Sequence, residues 1–195
     1  MPVEVPMAEV AEKLMTVAEF LRWDDGSDRR YELVGGRPVM MAPPGRVHGV
    51  LVIRLGAEFR AQLPTPCQPQ GEAGIVAEAD DFSYFVADLA VSCAPLGPDP
   101  WCPEPVLIVE VLSDTTRGLD LGVKLPAYRR IPSVRHILLV ETRGVRVEHW
   151  RRETDGWKVR DLGPGDVLLC DDLGIRLTVD ALYEGLPIPP APSAG

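Results

Sequence analysis

The sequence predicts an α/β domain, a mixed β-sheet flanked by helices, and three observations carry that expectation. Residues 46–63 place Val47, Val50, Leu51, Leu55, Phe59 and Leu63 at helical spacing. Residues 85–91 and 106–112 are apolar runs of strand length, and each carries one carboxylate. A second helical stretch then precedes a further series of strands, and this order of elements suits helices layered against a sheet.

In chain order, Thr16 and Glu19 have the spacing of a capping box and open a short helix over 17–23. The run Asp24-Asp25-Gly26-Ser27-Asp28 ends it. Residues 30–34 and 37–41 flank Gly35-Gly36, the two-residue spacing of a tight hairpin. The long amphipathic helix over 46–63 stops at Pro64-Thr65-Pro66. Residues 67–85 read as short strands and turns, with an acidic bend at Glu78-Ala79-Asp80-Asp81. Between the strands 85–91 and 106–112, residues 94–105 are rich in Pro and Gly and form a loop suited to the rim of a site.

Thr115 or Thr116 caps a helix to about Arg130, with Leu121, Leu125 and Tyr128 as a partial apolar stripe that Pro126 interrupts. Strands follow at 134–141, 145–151, 157–161 and 175–178, then a last helical turn at 180–183.

A chain of 195 residues suits one domain, expected over 16–185 between an N-terminal extension, 1–15, and a Pro-rich tail, 186–195. Its 46% hydrophobic and 25% charged residues match a globular protein rather than a disordered one. No apolar run approaches the ~20 residues of a membrane-spanning helix. The first residues lack the basic start and apolar core of a signal peptide, so a cytoplasmic location is expected. Cys67, Cys93, Cys102 and Cys170 form no Cys-x-x-Cys pair and are expected as buried free thiols. No Gly-x-Ser-x-Gly elbow is present, which argues against a serine hydrolase.

Asp88 and Glu110 demand an explanation, because an unpaired carboxylate among strand hydrophobes is costly to desolvate. A hard divalent cation is one partner; Mg²⁺ takes one or two carboxylates plus waters and phosphate oxygens. A water-facing strand end, or an arginine such as Arg30, Arg117 or Arg135, is the other. Lys124 follows on the next helix and stands four residues after Asp120, so an ordinary i,i+4 ion pair competes with a role at the carboxylates.

Several segments together carry a resemblance: Tyr31-Glu32-Leu33-Val34-Gly35-Gly36, Met41-Ala42-Pro43-Pro44, His48, Ala87-Asp88-Leu89, Val109-Glu110-Val111-Leu112-Ser113, and Asp120 through Lys124 to Tyr128. In order and spacing they resemble the Uma family of restriction endonucleases, within the PD-(D/E)XK nuclease superfamily. The resemblance implies a restriction-endonuclease-like core with an N-terminal hairpin and long helix. It implies Asp88 and Glu110 as metal-binding acids, Glu32 as a third metal carboxylate, and Mg²⁺ or Mn²⁺ as cofactor. Leu112 stands where the superfamily has its strand lysine, and the resemblance implies that Lys124 substitutes from the helix. It also implies that His48 contacts phosphate or positions water.

The resulting expectation is a metal-dependent endonuclease acting on nucleic acid, on DNA rather than RNA. A catalytically inactive binding or assembly module on the same fold is the alternative, and the net charge of −9 speaks for it, since phosphate binding relies on basic surface. Two arginine groups are candidate basic patches: Arg129, Arg130 and Arg135, and Arg143, Arg146, Arg151 and Arg152. Ser113, Thr115 and Arg117 are candidates to bind phosphate at the helix start, and Trp101, Trp150 and Trp157 to stack on bases. His136 and His149 read as structural. Strand edges make a homodimer plausible.

Overall fold

The computed structural model describes residues 13–77 and 81–188. Most of the expected N-terminal extension, of the Pro-rich tail and of the acidic bend lies outside the described residues.

Eight strands build the main sheet: β1 (Tyr31–Val34), β2 (Arg37–Met40), β3 (Gln68–Val76), β4 (Tyr84–Ser92), β5 (Pro105–Leu112), β6 (His136–Glu141), β7 (Val147–Glu153) and β8 (Gly156–Leu162). Their order is β2-β1-β4-β5-β6-β7-β8, with β3 also paired to β4. β5 and β6 are parallel and the other pairs antiparallel, so the sheet is mixed as the sequence predicts. A parallel pair needs a crossover, and the helical segment after β5 provides it.

The hairpin turns at Gly35 (φ 54°) and Gly36 (φ 80°), two consecutive left-handed residues as a two-residue turn of this kind requires. Helix α1 (Val17–Phe20) opens with the expected capping box at Thr16 and Glu19 and is shorter than the sequence suggests.

Helix α2 (Arg46–Gln62) packs fully buried Leu51, Leu55 and Phe59 against Leu89, Val91, Leu107, Val109 and Leu138 of the sheet. A two-stranded sheet, β9 (Val167–Cys170) with β10 (Ile175–Thr178), and helix α5 (Val179–Tyr183) complete that side. On the opposite face, Phe85, Ala87, Ile108, Ile137 and Leu139 meet Leu125 and Tyr128 of the crossover. β5 is therefore covered on both sides, the physical reason for its continuous apolar run.

Three expectations need correction. Residues 67–85 contain one nine-residue strand, β3, rather than short pieces. Pro69, Gly71 and Gly74 read locally as breakers, but β3 lies at a sheet edge, where a missing N–H is tolerated. Gly74 is required there, because a Cβ would come within 2.0 Å of the Tyr84 hydroxyl oxygen. Next, Cys67 and Cys93 are joined in a disulfide one rung beyond the Gln68↔Ser92 pair, and only Cys102 and Cys170 are buried thiols.

The crossover is also not one regular helix to Arg130. It consists of α3 (Arg117–Leu119), a π-helical turn (Asp120–Lys124) and α4 (Leu125–Tyr128). The Leu125 N–H donates to the Asp120 carbonyl, the i→i+5 bond of a π turn. Pro126 follows at once and has no N–H to donate, so a regular ladder could not have continued through it. The widened turn buries both Asp120 and Lys124 on the sheet side.

Candidate active site

Two strands share one edge of β4 end to end. β3 occupies the whole opposite edge, while β1 pairs at Leu33↔Tyr84 and β5 from Leu89↔Val109 onward. Between them the β4 backbone has side chains for partners. The Val86 N–H donates to Glu32 Oε1 at 2.7 Å, and the Val86 carbonyl accepts from Lys124 Nζ at 3.3 Å. From the far side of the gap, the Val111 N–H donates to Asp88 Oδ2 at 2.7 Å. Polar side chains thus take the place of ladder bonds where β1 and β5 part, which is why buried acids are tolerated here.

Lys124 lies at the centre of this gap. Its ammonium is 2.8 Å from Glu32 Oε1, 3.3 Å from Asp120 Oδ1 and 3.4 Å from Glu110 Oε1. Lys124, Glu32, Glu110 and Asp120 are each 2–4% exposed. Burial alone would depress the lysine, but Glu110, Glu32 and Asp120 outweigh it and hold the ammonium well above its ordinary range. Lys124 is therefore a fixed cation. The i,i+4 pair with Asp120 exists, as one of three ion pairs on the same nitrogen.

Glu110 projects to the crossover side of β5, where the Tyr128 hydroxyl donates to its Oε1 at 2.6 Å. Burial raises its carboxyl well above the usual range; Lys124 opposes this, and Asp88 and Asp120 reinforce it. Asp120 is raised as well, chiefly by burial. Tyr128 and Asp120 were legible only as a stripe residue and a helix-pair acid. The signal that could have placed both at the site is their spacing of four on either side of Lys124.

Asp88 stands beside the Leu89↔Val109 pair, and His48 Nε2 of α2 lies 3.1 Å from its Oδ1. The other ring nitrogen of His48 is buried without a hydrogen-bond partner. Glu32 is 3% exposed rather than on a solvated hairpin edge. Its Oε1 serves Lys124 and the Val86 N–H.

Other candidate groups have internal partners. Arg117 pairs with Glu141 at 2.7 Å, and Ser113 and Thr116 bond each other at the start of the crossover. Arg135 pairs with Asp172, Arg143 with Asp114, Arg151 with Glu153, and Arg146 with Glu148 and Asp161. Arg129 and Arg152 lie over the rings of Trp150 and Trp157. The expected basic patches are thus largely neutralised by acids of the same surface, and two of the three tryptophans are engaged in the fold.

The donor chemistry decides whether a divalent cation suits the gap. Carboxylates outnumber the single lysine, and Glu110, raised chiefly by burial, is raised further by Asp88 and Asp120. A hard cation with oxygen ligands would offset their repulsion, so the residues fit Mg²⁺ or Mn²⁺. Among the described residues, Glu32, Asp88 and Glu110 do not bring three ligand atoms within 4.8 Å of one another.

A mixed sheet flanked by helices, with acids gathered where β1 and β5 part, is a nuclease-type fold. It superposes with a TM-score of 0.70 on a crystal structure from Anabaena variabilis ATCC 29413 described as "a putative nuclease belonging to DUF820". That match covers 87% of this chain and 97% of the other at 14% identity. The chain belongs to the Uma2 family, described as "Putative restriction endonuclease", whose profile matches residues 17–180. Two relatives come from Synechocystis sp. (strain ATCC 27184 / PCC 6803 / Kazusa). "Uncharacterized protein slr1290" is 27% identical over 172 residues, covering 86% of this chain and 90% of its own. "Uncharacterized protein sll1609" is 26% identical over 170 residues, covering 80% and 92%. Among the described residues, no helix is long and apolar enough to cross a membrane.

Proposed function

We propose that this protein is a metal-dependent endonuclease that hydrolyses phosphodiester bonds of DNA at the gap between β1 and β5. The observation that carries the reading is Lys124. It reaches Glu110 and Glu32 from a π turn, at 3.4 and 2.8 Å, although β5 carries Leu112 where a strand lysine would stand.

Asp88 and Glu110 would hold Mg²⁺ or Mn²⁺, which when bound supplies Lewis-acid polarisation of the phosphate and a more acidic water. Lys124 remains protonated and so cannot accept the proton of an attacking water; its charge is available to stabilise the negative phosphorane. Tyr128 and Lys124 hold Glu110 through the same oxygen, Oε1, and so fix the orientation of the carboxylate. His48 and the Val111 N–H hold Asp88 from two sides, a positioning role. DNA is the substrate class in keeping with the family description.

One observation favours the inactive-module reading: Lys124 and its three acids form a buried, mutually paired network that would also be a stable structural unit. Cleavage separates the two. Purified protein with supercoiled plasmid and Mg²⁺ or Mn²⁺ should give nicked and linear products, none in EDTA, and none with Asp88→Ala. A folded wild-type protein that leaves DNA and RNA intact with either metal overturns the endonuclease reading.

A further inference from the structure

We propose that His136, His149 and Cys170 form a second metal site, suited to a borderline-soft divalent ion of the zinc class. The three residues come from three strands: β6, β7 and β9. Diagonal pairing across β6 and β7 sets His136 and His149 on the same face, because Leu138 lies opposite His149 and His136 opposite Arg151. Cys170, the last residue of β9, meets them from the small sheet. All three are buried, at 2%, 6% and 0% exposure.

The geometry suits coordination. His136 Nδ1 and His149 Nε2 are 3.0 Å apart, Cys170 Sγ is 3.9 Å from His149 Nε2, and the three donors all lie within 4.8 Å of one another. Tetrahedral Zn²⁺ with Zn–N of about 2.0–2.1 Å and Zn–S of about 2.3 Å needs N···N of ~3.3 Å and N···S of ~3.6 Å. The His136–His149 and His149–Cys170 separations each lie within about 0.3 Å of those values.

His136 also has the outer partner that metal-binding imidazoles use. Its Nε2 lies 2.7 Å from Asp172 Oδ1, and Asp172 Oδ2 lies 2.7 Å from Arg135 Nη1. With its Nε2 hydrogen given to Asp172, His136 turns a bare Nδ1 lone pair toward His149 and Cys170. The Asp172 and Arg135 side chains are 40% and 42% exposed, so the cluster lies one residue from solvent.

On binding, the ion accepts lone pairs from His136 Nδ1, His149 Nε2 and the Cys170 sulfur. The thiol proton leaves to solvent, and the His149 hydrogen resides on its other nitrogen. One proton is released per ion, and water or a small anion completes the fourth position. This site is distinct from the nuclease gap in place and in chemistry. His136 pairs with Leu107, whereas Glu110 pairs with Leu139, three residues along the strand, and a nitrogen and sulfur set selects a softer ion than carboxylates do. Its effect is to tether β9 of the small sheet to β6 and β7 of the main sheet.

The full chain, stripped with a chelator, is titrated with Co²⁺ as a spectroscopic probe and, separately, dialysed against Zn²⁺ for elemental analysis. One equivalent of zinc and a thiolate-to-cobalt charge-transfer band are expected. Both should vanish in Cys170→Ser and His149→Gln and persist in Cys102→Ser and Asp88→Ala. The wild-type band needs no variant to fold, and Cys102→Ser alone assigns it to Cys170, since Cys67 and Cys93 are bonded to each other. No band and no retained zinc in the wild type, or full retention in folded Cys170→Ser, overturns the site.

Discussion

Replacing Lys124 with methionine keeps the length of the side chain and removes the charge on which three buried acids converge. Removing one partner of a buried ion pair costs about 3–5 kcal/mol, because the other charge is left desolvated and unpaired. Lys124 and all three acids are nearly inaccessible, so little of that cost is relieved by solvent. The deficit should depend on pH with a definite sign. Burial already raises Glu110 and Asp120 with the ammonium in place, and without it both rise further. Carboxyls raised in the folded state bind protons that the unfolded chain releases above its own pKa of about 4. Their stabilising contribution is present below that value and is lost as pH rises through the raised folded value. Lys124→Met should therefore lose about 3–5 kcal/mol near pH 8 and visibly less near pH 5. Urea unfolding followed by tryptophan fluorescence at both pH values measures it. A deficit under about 1 kcal/mol at pH 8, or one that grows on acidification, would refute the reasoning.

Asp88→Asn keeps an oxygen that can accept the Val111 N–H, so stability should stay within about 1 kcal/mol while metal-dependent cleavage is lost; unfolding and plasmid assays test both. Tyr128→Phe removes the buried hydroxyl that bonds Glu110 and should cost about 1–3 kcal/mol, with at least a tenfold loss of cleavage rate. Phe59→Ala should cost about 3–5 kcal/mol through a cavity under α2 and leave the metal requirement of cleavage unchanged, measured by thermal melts and a Mg²⁺ titration.

Periodicity carried most of the fold. The spacing of Leu51, Leu55 and Phe59 located α2, and the apolar runs located β4, β5 and β6, because burial against a sheet imposes those patterns directly. Where long-range pairing dominates, local reading fell short. β3 contains Pro69, Gly71 and Gly74 and is a strand because β4 holds it; β9 is short and unremarkable until β10 pairs with it. Asp88 and Glu110 were visible as charges in apolar strands. Glu32 was harder to place, since only the sheet order reveals that β1 and β5 abut the same edge of β4. The inward setting of Lys124 depends on a π turn that helical periodicity cannot express. The cluster of His136, His149 and Cys170 draws on three separated strands, and the disulfide on a pairing register, so spacing alone signalled neither.

The most direct measurement compares wild type with Glu110→Gln, which preserves an acceptor for Tyr128 but removes the carboxylate charge, in a plasmid-cleavage time course with and without Mg²⁺. Wild type should cut only with metal, and folded Glu110→Gln should be inactive under both conditions. Equal cutting by the two proteins, or cutting by wild type in EDTA, would contradict the assignment of Glu110 to a metal-dependent nuclease site.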